Sequence, residues 1–336
     1  MKLRRLYSGN IVYGELPEGC KLCLRGLKTV VFVTGLCPRD CFYCPLSAEK
    51  RGRDVFYVNE KPARSAEDVI AEALSCGSRG IGVTGGDPLV RLDRTLAVVR
   101  AVKEFFGDRF HVHLYTSGKT LTREVVHRLE EVGLDEMRLH PDTRDVDRVL
   151  RTIEETKPSF QVGFEIPMLP DAVKEALQLL EKISACKYIG FVNINELEFS
   201  ESNSEALKAR GYKLAADWRS AEGSREAAIR VLEEVSKRGL SLSVHFCPAV
   251  SKDRYQFRLR LYRRGTLVAM PHEIVSDGGT LLKALIAESC ENAPPLLVFK
   301  GRVGLETSVL AAEAFGADYQ LLEELPDYFR TLLNIT

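Results

Sequence analysis

The sequence predicts an α/β fold in which parallel strands alternate with the helices that connect them. Strand-like runs and amphipathic helical segments follow one another from residue 29 to about residue 195. The strand-like runs are Thr29–Thr34, Gly80–Thr84, Phe110–Tyr115, Glu136–His140, Phe160–Ile166 and Tyr188–Ile194. The helical segments between them are Ser65–Ser75, Asp93–Phe106, Thr122–Val132, Asp145–Thr156 and Asp171–Ser184. This alternation favours right-handed crossovers, which an open doubly wound sheet and a partial (β/α)6 barrel both provide.

The segments that flank this alternation have a different pattern. Residues 1–28 are predicted to be irregular. The later helices are predicted over Asn203–Lys213, Ser224–Arg238, Leu305–Phe315 and Tyr319–Leu333. The later strands are predicted over Ser241–Phe246, Tyr255–Tyr262, Gly265–Pro271 and Leu296–Lys300. From about residue 250 onward the sequence therefore predicts a small α+β appendage.

Composition and charge exclude several classes of protein. Hydrophobic residues make up 45% and charged residues 28% of the 336 residues, which is ordinary globular composition and argues against disorder. The 47 basic and 47 acidic residues cancel, so no global field favours nucleic acid or a membrane. No apolar run approaches the roughly 20 residues that span a bilayer, and an apolar signal segment is not evident, so we expect a cytoplasmic protein. Nine cysteines, an odd number, favour a reducing compartment.

Three of these cysteines form the most informative motif. Cys37, Cys41 and Cys44 have the spacing C-x3-C-x2-C and directly follow the first predicted strand. Three thiols on one short loop are poor disulfide partners and suit soft iron. A [4Fe–4S] cluster has four corners, so three ligands would leave one iron open to an exogenous ligand. The alternatives are a structural zinc knuckle, for which no fourth ligand follows in the loop, or buried thiols.

This motif, with Tyr43 before its last cysteine, resembles the signature of the radical S-adenosylmethionine (SAM) superfamily. The resemblance implies that SAM chelates the open iron through its amino and carboxylate groups. It also implies that an electron from the cluster, supplied by a reductant such as a ferredoxin or flavodoxin, cleaves SAM to methionine and a 5′-deoxyadenosyl radical, which abstracts hydrogen from a substrate. Together with the position of the cysteine loop, the resemblance favours a partial (β/α)6 TIM-type barrel, with its chemistry at the carboxyl ends of the strands.

From this expectation we predict that the chain is divided into three parts. Residues 1–28 form an N-terminal cysteine-containing extension, residues 29–249 form the radical SAM barrel, and residues 250–336 form the C-terminal α+β appendage.

A Gly-Gly loop follows the second predicted strand, in the run Thr84-Gly85-Gly86-Asp87-Pro88. Two glycines allow the backbone to approach a ligand closely, and a carboxylate can accept a hydrogen bond from an ammonium group. In the superfamily, a Gly-Gly-Glu-Pro loop at this position binds the amino group of SAM. Asp87 is one methylene shorter than Glu, which shifts the expected role towards backbone contacts. The alternative is a plain turn between a strand and a helix.

Polar residues end the third and fourth predicted strands. Alternation places Glu136, Arg138 and His140 on one face of the fourth strand, which a polar barrel lumen would explain. Under the resemblance, Arg138 is a candidate partner of the SAM carboxylate, and Thr116 or Ser117 of the ribose. The alternative is a solvated strand end.

Two further residues complete the predicted cofactor site. The resemblance places Tyr43 near the adenine of SAM, and Glu165 is a candidate ligand contact because it ends the fifth strand. His111 and His113 share a face of the third strand, but we interpret them as structural histidines of a buried strand.

A second set of metal-binding residue types is separated along the chain. Cys20 and Cys23 form a C-x2-C pair, and His245 and Cys247 point to one face of a predicted strand. Four N/S ligands are enough for a zinc site or an auxiliary iron–sulfur cluster, and buried thiols are the alternative. The isolated cysteines Cys76, Cys186 and Cys290 are predicted to lie in the core.

The run Lys252–Arg264 interleaves arginines with aromatic residues. Read as a strand, it places Arg254, Arg258 and Arg260 on one face, which would suit RNA or simply be a solvated face.

Several stretches, among them GCKLCLRG and FVTGLCPRDCFYCPLS, resemble an archaeal group related to pyruvate formate-lyase activating enzymes. We therefore predict a radical SAM enzyme that abstracts hydrogen from RNA or a small molecule. The alternatives are an activase that installs a glycyl radical on a partner protein, and a non-catalytic, metal-stabilised RNA-binding protein.

Overall fold

A computed structural model describes residues 1–286 and 297–336 of the chain and confirms the α/β prediction. The strands of the larger sheet are β1 (Leu3–Arg5), β2 (Ile11–Tyr13), β3 (Lys28–Phe32), β4 (Tyr57–Val58), β5 (Lys61–Pro62), β6 (Gly80–Thr84), β7 (His111–Thr116), β8 (Glu136–Leu139), β9 (Gln161–Met168), β10 (Ile189–Glu196) and β11 (Ser243–Cys247). The smaller sheet contains β12 (Ile274–Val275), β13 (Leu281–Ile286), β14 (Phe299–Lys300), β15 (Leu305–Thr307), β16 (Tyr319–Glu324) and β17 (Leu332–Ile335). The helices are α1 (Glu18–Leu24), α2 (Ala66–Ser75), α3 (Leu92–Phe106), α4 (Arg123–Glu131), α5 (Val146–Thr156), α6 (Val173–Ser184), α7 (Ser204–Lys208), α8 (Ser224–Arg238), α9 (Ala249–Ser251), α10 (Arg258–Val268) and α11 (Val309–Phe315).

The larger sheet is a partial TIM-type barrel. Its strands follow the order β1-β2-β11-β10-β9-β8-β7-β6-β3-β4-β5, and neighbours from β3 through β6–β11 pair in parallel. All six strands predicted in the alternating region are present, and β11 adds one more parallel strand. The barrel does not close, because β3 pairs antiparallel with β4 and β11 pairs antiparallel with β2. All parallel strands therefore end at one rim, where ligands of such sheets bind.

Apolar strand residues that face the surrounding helices form the main core. Val31, Ile81, Val112 and Leu114 are fully buried, and the apolar faces of α2–α6 and α8 pack against the same cluster. Burying each such side chain contributes about 1.5–3 kcal/mol, which stabilises the strand order that positions the rim. At the start of α4, the N-cap residue Thr122 accepts a hydrogen bond from the backbone N–H of Val125.

The expectation that residues 1–28 are irregular was wrong. Strand β2 extends the larger sheet beside β11, and α1 covers the amino-terminal end of the barrel lumen. The backbone N–H of Gly19 in α1 donates to Glu136 Oε2 at 3.0 Å, and a Cβ at Gly19 would lie 2.6 Å from an Arg138 nitrogen. The lumen therefore accepts α1 only because residue 19 has no side chain.

The prediction for the appendage was wrong in three segments. The strands predicted over Tyr255–Tyr262 and Gly265–Pro271 are instead a π-helix, Lys252–Phe257, followed by α10. The helix predicted over Tyr319–Leu333 is instead the antiparallel pair β16 and β17.

Two other appendage predictions were partly right. The segment Leu305–Phe315 begins as β15 and becomes helical only in α11. Within the predicted strand Leu296–Lys300, β14 covers the last two residues, whereas Leu296 and Cys290 lie outside the described residues.

Ion pairs explain why the run Lys252–Arg264 is helical although its basic and apolar residues alternate with the period of a strand. On α10, Arg260 and Arg264 are one turn apart and both are buried. Arg260 pairs with Glu60, and Arg264 lies 2.5 Å from Glu72 on α2. In a strand, Arg260 and Arg264 would also lie on one face. The extended spacing of a strand, however, could not place their two guanidinium groups on neighbouring carboxylates of the barrel wall. The one-sided basic strand proposed for RNA is therefore not formed.

No helix among residues 1–286 and 297–336 is long and apolar enough to cross a membrane.

Candidate functional site

A cavity of about 1040 Å³ opens at the carboxyl-terminal rim of the barrel. Its walls come from the loops after β3, β6, β7, β8, β9 and β10 and from the start of the π-helix. The predicted site residues that line it are Cys37, Cys41, Tyr43, Cys44, Thr84, Gly85, Gly86, Thr116, Ser117, Arg138 and Glu165. The sequence motifs from five separate loops thus meet in one place.

The loop that carries the three cysteines is shaped by its own backbone. The N–H of Gly35 donates to Arg53 O at 2.8 Å, and the N–H of Gly52 donates to Gly35 O at 2.9 Å. A Cβ at Gly35 would overlap the carbonyl oxygen of Lys50, so the two ends of the loop can cross only at a glycine. The crossing closes the loop and directs its cysteines towards the cavity.

The thiols of this loop fit an open cluster site. Cys37 is exposed and Cys41 and Cys44 are partly buried, and partial burial raises the pKa of Cys37 and of Cys41. Among the described residues that line the cavity there is no fourth cysteine. Three thiols with no fourth match the donor set expected for a [4Fe–4S] cluster that keeps one iron accessible.

The Gly-Gly loop packs directly on the cysteine loop. The N–H of Gly86 donates to Thr34 O at 2.7 Å, and the N–H of Asp87 donates to Leu36 O at 2.8 Å. Gly85 has φ +153°, and a Cβ at either glycine would overlap the backbone of residues 34–36. The close approach that the sequence suggested for a ligand is therefore made, in this chain, to the cysteine loop.

Asp87 lies behind the cavity wall. It is fully buried and does not line the cavity. Its Oδ1 accepts from Leu89 N at 3.0 Å and Thr116 Oγ1 at 2.9 Å, and its Oδ2 accepts from Ser117 N at 3.0 Å and from Ser117 Oγ. The carboxylate thereby joins the Gly-Gly loop to the end of β7, where the two hydroxyl residues face the cavity.

The cavity floor contains a buried ion-pair network. Arg138 donates to Glu136 at 2.5 Å, to Tyr115 Oη at 2.9 Å and to Glu165 at 3.2 Å, and it also contacts Cys20 Sγ. Burial would lower the pKa of Arg138, but Cys20, Tyr115 and the two carboxylates hold it well above its usual value. Four of the five guanidinium N–H donors are thereby used, so Arg138 has little capacity left for a carboxylate of SAM.

Tyr43 is oriented by a residue that sequence reasoning did not assign. Its hydroxyl lies 2.7 Å from His140 Nε2, and His140 Nδ1 lies 2.8 Å from the carbonyl oxygen of Glu165. Burial and the nearby Arg39 lower the pKa of His140 to about 4. Arg39 also pairs with Asp142 at 2.7 Å, which ties the cysteine loop to the end of β8. The sequence did indicate that His140 faces the site, because alternation along β8 points His140 and Arg138 to the same side.

The opposite half of the cavity is here called the distal half. It is built from Asn195, Glu196, Leu197, Glu198, Phe199, Ser200, Trp218, Arg219 and Lys252. Glu198 accepts from Arg219 Nε at 2.6 Å and pairs with Lys252. Burial would raise the pKa of Glu198, but these cations lower it. The distal half therefore has an ionised wall.

Asn203 connects the two halves. It is almost fully buried, and its amide nitrogen donates to Tyr43 O at 3.1 Å and to Glu198 O at 3.0 Å. Its Oδ1 accepts from Ser200 N at 2.7 Å. Nothing in the local sequence marks this residue, because its partners are distant in the chain.

The second cysteine set lies inside the barrel, where Cys20 and His245 both approach Asn193 and Cys247 ends β11. Cys20 Sγ is 3.5 Å from Asn193 Oδ1. The ring nitrogens of His245 lie 2.8 Å from Asn10 Nδ2 and 3.0 Å from Asn193 Oδ1. His245 could ligate a metal only by giving up one of these bonds.

The remaining members of that set and the two neighbouring histidines are also buried or nearly so. Cys247 Sγ is 3.4 Å from Gln256 Nε2, and burial raises the pKa of Cys23. His111 lies 3.4 Å from Glu136, as expected of a structural histidine, whereas Nδ1 of His113 has no hydrogen-bond partner among the described residues. Metal binding at Cys20, Cys23, His245 and Cys247 stays a prediction.

Comparison with known proteins identifies a family and several similar proteins. The Radical SAM superfamily matches residues 31–197. A protein of Methanocaldococcus jannaschii named "Putative glycyl-radical enzyme activating enzyme" is 40% identical over 284 residues, covering 82% of this chain and 74% of the relative. A protein of Methanococcus maripaludis named "Probable GTP 3′,8-cyclase" is 25% identical over 143 residues, covering 41% of this chain and 45% of the relative.

Two solved structures are also similar. Streptococcus suis SuiB bound to S-adenosylmethionine has a TM-score of 0.46 and 12% identity, covering 66% of this chain and 50% of SuiB. TsrM from Kitasatospora setae has a TM-score of 0.40 and 11% identity, covering 80% of this chain and 58% of TsrM. The chain thus spans about half the length of these structures. The superfamily match and the 40% identical relative, which covers most of both proteins, show that the chain belongs to the radical SAM superfamily.

Proposed function

We propose that the protein is a radical SAM enzyme whose chemistry takes place in the cavity at the rim of the barrel. The observation that carries the proposal is the meeting of three thiols, with no fourth among the described residues that line the cavity, and the Gly-Gly loop on one wall of that cavity. Members of the superfamily use a [4Fe–4S] cluster and SAM, and the donor set of this wall fits both.

The residues of the wall have distinct proposed roles. Cys37, Cys41 and Cys44 would hold the cluster, and the backbone of Thr84–Gly86 would contact the amino group of SAM. When bound and reduced, the cluster supplies the electron that cleaves SAM to methionine and a 5′-deoxyadenosyl radical.

Other residues would place SAM rather than react with it. Tyr43 would pack against the adenine with its ring fixed by His140. Thr116 and Ser117 would face the ribose, oriented by Asp87 from behind. Glu165 and Arg138 would form the floor under the reacting groups.

The substrate and the partners are part of the proposal. We propose hydrogen abstraction from RNA or a small molecule, with electrons from a ferredoxin or flavodoxin. A glycyl-radical activase acting on a partner protein is the second candidate, supported by the name of the 40% identical relative. A non-catalytic RNA-binding role is not favoured, because its basic strand is a helix. The division into residues 1–28, 29–249 and 250–336 and a cytoplasmic location also remain proposals.

Reductive cleavage of SAM tests this function. The full chain is reconstituted anaerobically with iron and sulfide and then given dithionite and SAM, and 5′-deoxyadenosine is measured. We expect product from the wild type and from Cys186→Ala, whose thiol lies far from the cavity lining, and none from Cys44→Ala. One tightly bound zinc per chain and no 5′-deoxyadenosine from the wild type would refute the proposal.

A further inference from the structure

The distal half of the cavity contains charged groups that the proposed SAM half does not use. The cavity volume of about 1040 Å³ is at the upper end of the roughly 300–1,000 Å³ typical of a site for one small ligand. The cysteine loop and the Gly-Gly loop line one side, whereas Glu198, Trp218, Arg219 and Lys252 line the other. Space and polar groups are therefore present for a second ligand beside SAM.

Lys252 is one of the two cations that line this half. It is the first residue of the π-helix directly after α9, and 30% of its side chain is accessible. Among the described residues, its ammonium group has one hydrogen-bond partner, Glu198. An ammonium group has three N–H donors, so two remain available to a ligand. Burial would lower the pKa of Lys252, but Glu198 and Cys247 raise it, so the group stays charged at neutral pH.

The charged groups of the distal half are paired, but its cations keep N–H donors that no described residue uses. Glu198 is shared between Lys252 and Arg219, so two cations face one carboxylate. Arg219 also pairs with Asp253, which lies outside the cavity lining. The other carboxylate of this half, Glu196, is neutralised by Arg225 at 2.9 Å.

Trp218 provides an apolar surface beside these cations. It lines the cavity, yet 85% of the residue is exposed, and it has φ +59°, a left-handed conformation that is rare for bulky residues. The loop is held by the Asp217 carboxylate, which accepts from the backbone N–H groups of Arg219 at 3.0 Å and Ser220 at 2.8 Å. A rigid turn therefore presents an unpacked indole at the cavity mouth, next to a charged pair. Backbone strain of this kind concentrates at functional sites.

From this arrangement we infer that the distal half is the substrate subsite and binds a substrate with an anionic group, a carboxylate or a phosphate, held by Lys252 and Arg219 with an adjoining planar or apolar portion against Trp218. The inference rests on the proposed function, because it takes the opposite half of the cavity as the SAM site. It makes Lys252 a specificity-determining residue, since an anion gains charge pairing as well as hydrogen bonds from the two available N–H donors, whereas a neutral acceptor gains only the hydrogen bonds and a cation is repelled.

Trp218 is also the probe for a test, because it is the only tryptophan of the chain. Its fluorescence is followed while the reconstituted protein with SAM is titrated with four ligands that share one ring: phenyl phosphate, benzoate, benzamide and benzylamine. We expect phenyl phosphate or benzoate to bind at least about tenfold more tightly than benzamide and benzylamine. Preference between the two anions tells a phosphate from a carboxylate substrate.

Two variants of Lys252 and one control variant test whether this lysine causes the anion preference. Lys252→Met should weaken binding of the preferred anion about tenfold or more, and Lys252→Arg, which keeps the cation, should restore most of it. Lys237→Met removes a surface lysine paired with Glu234 and should leave binding unchanged. Equal binding of all four ligands, no binding of any of them, or undiminished anion binding by Lys252→Met would overturn the inference.

The SAM-cleavage assay on the wild type separates this inference from the proposed function. Formation of 5′-deoxyadenosine without anion preference would overturn the subsite and leave the radical SAM function standing. Anion preference without any SAM cleavage would overturn the function and leave the anion-binding cavity standing.

Discussion

The Tyr43 hydroxyl donates a hydrogen bond to His140 Nε2 across 2.7 Å, between the cysteine loop and the end of β8. The direction follows from the other ring nitrogen, because Nδ1 faces the carbonyl oxygen of Glu165 at 2.8 Å and must carry the proton. Burial lowers the pKa of His140 to about 4, so at neutral pH the ring is neutral and accepts at Nε2. The ring next to Cys44 is thus fixed by a histidine about 100 residues away in the sequence.

We expect His140→Leu to slow formation of 5′-deoxyadenosine about tenfold, which corresponds to about 1.4 kcal/mol in the barrier. Leucine removes the acceptor, so the Tyr43 hydroxyl is left without its partner and the ring can turn away from the SAM half. His127→Leu is the matched control, since His127 is exposed on α4 and its one ion pair among the described residues is with Glu130. Equal rates for the two variants would show that the bond does not position Tyr43 for SAM.

The same histidine predicts a pH dependence of stability. Its pKa is lowered to about 4 in the folded protein, mainly by burial, whereas that of an unfolded histidine is about 6.5. The unfolded chain therefore binds the proton first. The contribution of His140 to the free energy of unfolding is fully present above pH 6.5. It falls by up to about 3 kcal/mol as the pH decreases towards 4.

Chemical denaturation at pH 7 and pH 4.5 measures this effect. His140→Gln should lose less free energy of unfolding between the two pH values than the wild type does, and His127→Gln should match the wild type. An identical loss in His140→Gln would show that other groups cause the acid sensitivity.

Gly86→Ala is expected to lower the free energy of unfolding by about 1–3 kcal/mol, the usual cost of overpacking. A methyl group at residue 86 would overlap the carbonyl oxygen of Leu36 and push the cysteine loop away, so the iron content after reconstitution should fall as well. Gly190→Ala is the control, because its nearest neighbour would lie 3.8 Å away. Wild-type iron content in Gly86→Ala would contradict the packing of the two loops.

Asp87→Asn should be destabilised by about 1–3 kcal/mol although the shapes are alike. Each carboxylate oxygen faces a backbone N–H, Leu89 N for Oδ1 and Ser117 N for Oδ2. Whichever of the two oxygens the amide nitrogen of Asn replaces, its N–H donors then face a backbone N–H donor, and no hydrogen bond can form. Denaturation of Asp87→Asn beside Asp93→Asn, whose side chain is 92% exposed, measures the difference. If the two variants unfold alike, Asp87 is not the link between β6 and β7.

Local pattern predicted the parts of this protein that depend on neighbouring residues in the chain. The spacing of Cys37, Cys41 and Cys44, the Gly-Gly run and the alternation of strands and helices predicted a parallel α/β sheet with the thiols at the carboxyl ends of its strands, and the family resemblance favoured the partial barrel. These features can be predicted without knowing which distant residues they contact, because the pattern of a strand and the ligands of a loop depend on residues that are close together in the sequence.

Tertiary structure decided the features that depend on residues far apart in the sequence. Lys252–Arg264 alternates like a strand, but it is helical because Arg260 and Arg264 reach carboxylates of the barrel wall. The bond between Tyr43 and His140, the bridge through Asn203 and the charged wall around Lys252 likewise join separate loops. Local propensity is a weak preference, and buried ion pairs and hydrogen bonds override it once folding brings their partners together.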